Sequence, residues 1–129
     1  MHFAIQNGCV QYIREEENIL KSLNKLGMDL KPILCGGTVE RIQKREQWHS
    51  GANFFAMGPG KVIGYGRNEY TVEEMDKAGF SIINAQDVIN DRIILKDYDK
   101  YLVTINGAEL SRGGGGCRCM TMPVKRKPL

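Results

Sequence analysis

An order of predicted elements that occurs twice, about 52 residues apart, is the strongest restriction that this sequence places on its fold. Each copy reads as a hairpin of two strands, a helix and a further strand. The first copy places them at residues 3–6, 9–13, 15–26 and 30–35, and the second at 53–57, 61–65, 70–78 and 80–84. A repeat of this period indicates units that bury their faces against neighbouring units. The alternative is a pair of α+β layers that resemble each other by chance.

Local turn and capping signals support these elements. Asn7-Gly8 and Gly58-Pro59-Gly60 each separate two short apolar runs, a pattern that predicts β-hairpins. Apolar residues at helical spacing predict the first helix. In the second copy, Thr71 and Glu74 have the spacing of a capping box, and Gly79 stands where glycine ends a helix. The fold class predicted from these signals is mixed α/β (α+β), with two ββαβ units at about 3–35 and 53–84.

Two stretches interrupt the repeat. Residues 38–49 are highly charged and predict a short helix or ordered loop that ends near Trp48, the only tryptophan, which we expect to pack against other residues. An insert at about 85–105 follows the second copy. It predicts a short helix and an added pair of strands, or else a surface excursion, and we assign no function to it.

A glycine run beside two cysteines is the chemically most suggestive segment, within residues 109–123. Gly113–Gly116 directly follow Arg112, and Cys117, Arg118 and Cys119 come next. Consecutive glycines let the backbone adopt conformations closed to other residues and approach a ligand closely. A cysteine next to fixed positive charge is where a thiolate is stabilised. The alternative is a flexible surface loop followed by a structural cysteine.

Composition excludes several classes of function. The formal net charge is +3, and three of the basic residues stand together at 125–127, which is too little and too local to predict nucleic-acid binding. No apolar run approaches the roughly 20 residues that cross a bilayer, and the first residues lack a signal-peptide pattern. Four cysteines, two of them at Cys117 and Cys119 without a further pair or histidine nearby, predict neither a disulfide scaffold nor a zinc site. We therefore expect a reduced, cytoplasmic protein without membrane, metal or cofactor.

Two blocks carry a resemblance to a known family. The first is RCMTMP, which follows ELSRG and the glycine run, and the second is CGGTVERIQKREQWHSGANFFAMGPGKVIGYGRNEYT at residues 35–71. Together, and in the order in which they occur along the chain, they resemble the arginine deiminases. That resemblance implies the pentein fold, a five-bladed α/β propeller of which the two ββαβ units would form an incomplete ring. A related amidinotransferase or another guanidine hydrolase of the same fold is the alternative, and REQW with CMTMP favours the deiminase.

The resemblance also implies roles for individual residues. In arginine deiminases a cysteine attacks the guanidinium carbon of L-arginine, ammonia leaves, and water releases citrulline from the thiouronium intermediate. Cys119 matches that nucleophile, whereas Cys117 falls at a small, non-catalytic position. Gly113 matches a glycine whose backbone lies against the amino-acid end of the substrate. Arg112 and Arg118 are candidates for shaping or charging the substrate loop. Gly114 stands where some members carry an arginine for the substrate carboxylate.

Other parts of that machinery have no match in this sequence. The family's catalytic histidine lies in a His-x-Asp motif, with guanidinium-binding carboxylates further upstream, and neither is found here. The only histidines, His2 and His49, are expected at the surface. We therefore expect a single domain, 1–129, that forms the C-terminal part of the catalytic domain and is inactive alone. Exposed propeller faces would favour homo-oligomers. A non-catalytic α+β module for binding or oligomerisation is the remaining alternative.

Overall fold

The computed structural model describes residues 2–6, 9–14 and 17–125, with side chains from residue 17 onward. The chain divides into two compact units, Met1–Pro32 and Ile33–Leu129. The predicted turn at Asn7-Gly8 and the basic residues Arg126 and Lys127 lie outside the described residues. No helix in the described ranges is long and apolar enough to cross a membrane.

The first unit contains a hairpin and one helix. Strands β1 (His2–Gln6) and β2 (Cys9–Arg14) pair antiparallel, in a register that joins Ile5 to Val10. Helix α1 (Ile19–Lys25) starts at Asn18, whose side-chain oxygen accepts the backbone N–H of Lys21 at 3.0 Å. These elements confirm the predicted hairpin and helix of the first copy. Ile19 is 73% exposed, so much of the apolar side of α1 is uncovered.

The predicted strand at 30–35 is wrong. Residues 28–34 have no regular secondary structure, and a turn follows at 35–38. Pro32 lies within this stretch, and proline has no N–H to donate to a neighbouring strand and is disfavoured inside a sheet. The apolar residues that suggested a strand, among them Leu30 and Leu34, are more than 40% exposed.

The second unit is a four-stranded mixed sheet with helices. Its elements, in chain order, are α2 (Glu40–Trp48), β3 (Phe55–Gly58), β4 (Lys61–Tyr65), α3 (Glu69–Lys77), β5 (Ser81–Asn84), α4 (Ala85–Ile89), a 3₁₀ turn (Leu95–Asp97), β6 (Tyr101–Ile105) and a second 3₁₀ turn (Leu110–Gly113). The strand order is β3-β4-β6-β5. Strands β3 and β4 form the predicted hairpin around Pro59 and Gly60, and β6 runs parallel to both β4 and β5.

The insert at 85–105 contributes the centre of this sheet. Strand β6 lies between β4 and β5, and Tyr101, Leu102 and Val103 are at most 6% exposed. Ile83, Tyr101 and Val103 form a buried cluster. Ile63 of β4 packs against it, and the other partly buried apolar residues around it come from this stretch: Ala85, Val88, Ile93, Leu95 and Tyr98. The predicted short helix is confirmed. A surface excursion and an added pair of strands are both wrong, because one strand of this stretch joins the existing sheet.

The capping box predicted for α3 is also wrong. The helix begins one residue earlier than predicted, at Glu69, and the side chain of Asn68 forms no capping hydrogen bond. Thr71 lies in the first turn, where its hydroxyl donates to the carboxylate of Glu46 at 2.7 Å. Gly79 follows the helix with φ of +85°, as predicted for a terminating glycine.

Candidate active site

Cys119 lies just beyond a sharp reversal of the backbone. Gly114 and Gly115 have φ angles of +79° and +85°, which residues with a side chain rarely adopt. The chain then makes a turn over residues 117–120, in which Cys119 is exposed. The glycine run therefore ends the 3₁₀ turn at Leu110–Gly113 and directs the chain toward the position of the cysteine.

Asn53, just before β3, reaches the sulfur of Cys119. Its amide Nδ2 donates a hydrogen bond to Cys119 Sγ at 2.7 Å. A Cβ on Gly116 would lie 2.5 Å from Asn53 Cβ, and a Cβ on Gly115 would lie 3.0 Å from Cys119 Cβ. The first distance is too short for a side chain and the second is tight, so these two glycines favour the approach of the asparagine to the cysteine.

The electrostatic surroundings of Cys119 favour its thiolate. A backbone hydrogen bond from Gly116 contributes most, the amide of Asn53 contributes next, and the positive charge of Arg118 adds to both, which together lower the pKa of Cys119 from its ordinary value. Hydrogen bonds to the charged form and a nearby opposite charge both stabilise a thiolate. The described thiols are free, and Cys119 is the exposed one.

The other described cysteines have the opposite shift. Cys117 is 5% exposed, and burial raises the pKa of its thiol. Burial also raises the pKa of Cys35, where the hydroxyl of Thr71 acts in the opposite direction and the charge of Glu46 adds to the rise. Burial thus raises the thiol pKa of Cys35 and Cys117, whereas hydrogen bonds lower that of Cys119.

Cys119 opens into a groove of about 770 Å³. The residues that line it are Cys35, Gln47, Ser50, Ala52, Asn53, Phe54, Arg118, Cys119 and Thr121. Arg118 and Cys119, adjacent in sequence, both line this groove, and the roles predicted for them stay predictions. Neither a histidine nor a carboxylate is among these lining residues, and the described part of the chain holds no cluster of side chains suited to a metal ion.

The remaining candidates lie elsewhere. Arg112 pairs through Nε with Glu109 Oε2 at 3.1 Å, in an exposed ion pair, and lines a separate groove of about 280 Å³. A Cβ on Gly113 would meet no atom within 4 Å, so its backbone is accessible. His49 is half-buried and lines the same groove as Arg112, whereas the side chain of His2 lies outside the described part. The roles predicted for Arg112 and Gly113 stay predictions.

Trp48 does not pack as expected. It is 84% exposed at the end of α2 and lines the groove that contains Arg112. A side chain of this size usually buries most of its surface. Its exposure leaves an apolar surface next to the glycine loop.

The block at residues 35–71 is held together by contacts around Glu46 and Gly51. Glu46, 1% exposed, accepts hydrogen bonds from the backbone of Tyr70 at 3.1 Å and of Thr71 at 2.8 Å, and so caps α3 from α2. A Cβ on Gly51 would lie 2.7 Å from Cys35 Sγ, which accounts for glycine two residues before Asn53.

Arg67 ties this block directly to the glycine segment. Its guanidinium donates to the carbonyl of Ala108 and to the hydroxyl of Ser111, the latter at 2.9 Å. The amide of Asn68 donates to the carbonyl of His49 at 3.1 Å. Arg67, between β4 and α3, thus contacts the segment that precedes the cysteine. Asn68 contacts the residue that follows α2.

Comparison with known proteins identifies the family of the chain. The family model for arginine deiminase matches residues 6–126, which is nearly the whole chain. The chain belongs to the arginine deiminase family. The arginine deiminase of Clostridium perfringens is 41% identical over 88% of the chain, that of Mycoplasma capricolum 40% over 98%, and that of Listeria innocua 42% over 75%.

The chain spans only part of these arginine deiminases. The matched regions cover 22%, 27% and 19% of the length of the three relatives, respectively. The family assignment therefore applies to this chain, and the relatives contain further sequence for which it has no counterpart.

Sequence reasoning missed Asn53 and Arg67 as site residues. Both stand in motifs that carried the resemblance, G-x-N and R-N, but no local pattern marks either one as a partner of the cysteine segment. Their contacts join residues 66 and 44 positions apart along the chain.

Proposed function

We propose that this chain is the nucleophile-bearing part of a cytoplasmic arginine deiminase, which hydrolyses L-arginine to L-citrulline and ammonia. The supporting observation is the state of Cys119, an exposed thiol in an open groove with its pKa lowered by the Gly116 backbone and by Asn53. Family membership supplies the reaction, because the relatives are named arginine deiminases. A thiolate is the form of cysteine that acts as a nucleophile.

The proposed reaction has two steps. The thiolate of Cys119 attacks the guanidinium carbon, and ammonia leaves after it receives a proton, which gives a thiouronium intermediate. Water then attacks the same carbon, the carbon–sulfur bond breaks, and citrulline departs while the thiolate is restored. Proton transfer needs a general acid and base, and orienting the planar cation needs carboxylates. The groove around Cys119 contains neither, so we propose that other parts of the full-length enzyme supply them.

We also propose that the second copy is a ββαβ unit of a pentein-type propeller, that the hairpin and helix of the first copy belong to another such unit, and that both lie within one catalytic domain. In the second copy, β3, β4, α3 and β5 occur in the order that such a unit requires. In the first copy the hairpin and the helix occur in that order. The uncovered apolar side chains, including Trp48 and Ile89, are then surfaces that neighbouring blades would cover.

Transfer of this chain into a complete relative tests the proposed function. We expect the arginine deiminase of Clostridium perfringens, with its matched region replaced by this chain, to release citrulline from L-arginine. Cys119→Ala in that chimera is expected to lower kcat about a thousandfold or more, the effect of removing a nucleophile. Cys117→Ala is the matched control and is expected to keep activity within a few-fold. Activity that survives Cys119→Ala and is lost with Cys117→Ala would contradict the proposal.

We propose in addition that the isolated chain forms homo-oligomers through its uncovered apolar surfaces. Trp48, Met122 and Val124 are each more than 80% exposed. We expect light scattering to give a mass above the 14.5 kDa of one chain as concentration rises. Fluorescence of the only tryptophan would shift to shorter wavelength if association covers Trp48. A monomer at the highest attainable concentration would refute this expectation.

A further inference from the structure

We propose that Asn53 is a positioning residue that fixes the sulfur of Cys119 at the groove and stabilises its thiolate. This inference rests on the proposed function, in which that sulfur is the nucleophile. Asn53 and Cys119 both line the groove, and the amide nitrogen and the sulfur are 2.7 Å apart. A neutral amide does not titrate, so it can donate this hydrogen bond at every pH at which the thiolate exists.

The position of Asn53 is set from both sides. Its backbone N–H donates to the carbonyl of Ser50 at 3.0 Å, which fixes its place at the end of the turn after α2. On the other side, a Cβ on Gly116 would lie 2.5 Å from Asn53 Cβ and 2.8 Å from its Cγ. The side chain therefore lies directly against the glycine run and has little room to turn away from Cys119.

One end of the amide has no partner. The Oδ1 atom of Asn53 is buried and makes no hydrogen bond within the described part of the chain, which is unfavourable for folding. The reverse orientation of the amide would put this oxygen, an acceptor, against a negatively charged sulfur. An unsatisfied polar atom of this kind calls for an explanation. Stabilisation of the thiolate by Nδ2 provides one.

Other groups near the sulfur act differently from Asn53. Arg118 is exposed, so its attraction for the thiolate is screened by salt. The hydroxyl of Tyr65 lies 3.8 Å from the sulfur of Met120 and has its pKa raised, chiefly by burial and to a lesser extent by Cys117 and Cys119. Cys35 lines the same groove with a raised pKa. The backbone hydrogen bond from Gly116 is a further neutral contribution, and a side-chain substitution at Asn53 does not remove it. Removing Asn53 should therefore have an effect that salt does not reproduce.

The test is the rate of alkylation of each cysteine by iodoacetamide as a function of pH, measured by mass spectrometry of peptides. We expect Asn53→Ala to slow alkylation of Cys119 about threefold or more at pH values below the pKa of the thiol, because the thiolate fraction falls. Asn53→Asp, which keeps the shape but replaces the donor with a carboxylate, is expected to slow it further. Both pH profiles should move to higher pH. Raised salt should leave the shift of Asn53→Ala in place and reduce the additional shift of Asn53→Asp, which comes from charge.

Buried Cys117 reports whether each variant is folded. The proposal is overturned if the Cys119 profile stays that of the wild type in both variants while Cys117 remains unreactive. It is also overturned if both variants expose Cys117, since Asn53 would then have a structural role only. The readout is independent of citrulline formation. A chimera without activity would contradict the proposed reaction, but it would leave a shifted thiol profile as support for the role of Asn53.

Discussion

Replacing Leu102 by alanine is expected to lower the free energy of unfolding of this chain by about 3 kcal/mol, the usual cost of removing a fully buried leucine side chain. Leu102 is 0% exposed in β6, between Val62 of β4 and Ile82 of β5. Its side chain also approaches a neighbouring strand, since a Cβ on Gly64 would lie 3.3 Å from its Cδ1. Urea unfolding followed by circular dichroism measures the loss.

Ile82→Ala is the matched control for this prediction. Ile82 pairs with Leu102 in the register of the sheet, but it is on the edge strand β5 and is 37% exposed. We expect it to cost about 1 kcal/mol, because a smaller apolar area is lost and the site can relax toward solvent. Equal losses for the two variants would mean that β6 does not occupy the centre of the sheet.

This strand also shows where prediction from sequence fails. The hairpin of β3 and β4 and the helix α3 were predicted within two residues at each end, because turn residues and apolar spacing are local signals. The place of β6 depends on parallel pairing with two strands that come earlier in the chain. Such pairing leaves no local signal, so a buried central strand was interpreted as part of an insert.

The same distinction applies to the candidate site. Cys119 was predicted from a short motif and its resemblance to a family, and the structure places it with Arg118 in one groove. No local pattern links Asn53 to the cysteine, which it reaches because the glycine run lies against it. Trp48 was expected to pack because large aromatic side chains usually do, but it is 84% exposed among the described residues. An expectation taken from residue type alone does not say which surface would cover the side chain.

Replacing Glu46 by alanine is expected to lower the free energy of unfolding by about 3 kcal/mol, because it leaves two buried donors of Thr71 and the part-buried N–H of Tyr70 without their carboxylate acceptor. The carboxylate accepts the backbone N–H groups of Tyr70 and Thr71 and the hydroxyl of Thr71, all within 3.1 Å. A negative charge at this end of α3 is also favoured by the helix dipole. The urea midpoint of the chain, followed by the helical signal in circular dichroism, measures the change.

Glu40→Ala provides the control in the same helix. Glu40 pairs with Lys44 at 2.6 Å, but both side chains are at least 75% exposed, and such pairs contribute at most about 1 kcal/mol. A similar loss for both variants would contradict the assignment of Glu46 as the cap of α3. A large loss for Glu46→Ala alone would explain the glutamate of REQW as a structural residue. Glu46 joins α2 to α3. Under this assignment its carboxylate is not available to a ligand, because both of its oxygens accept hydrogen bonds inside the fold.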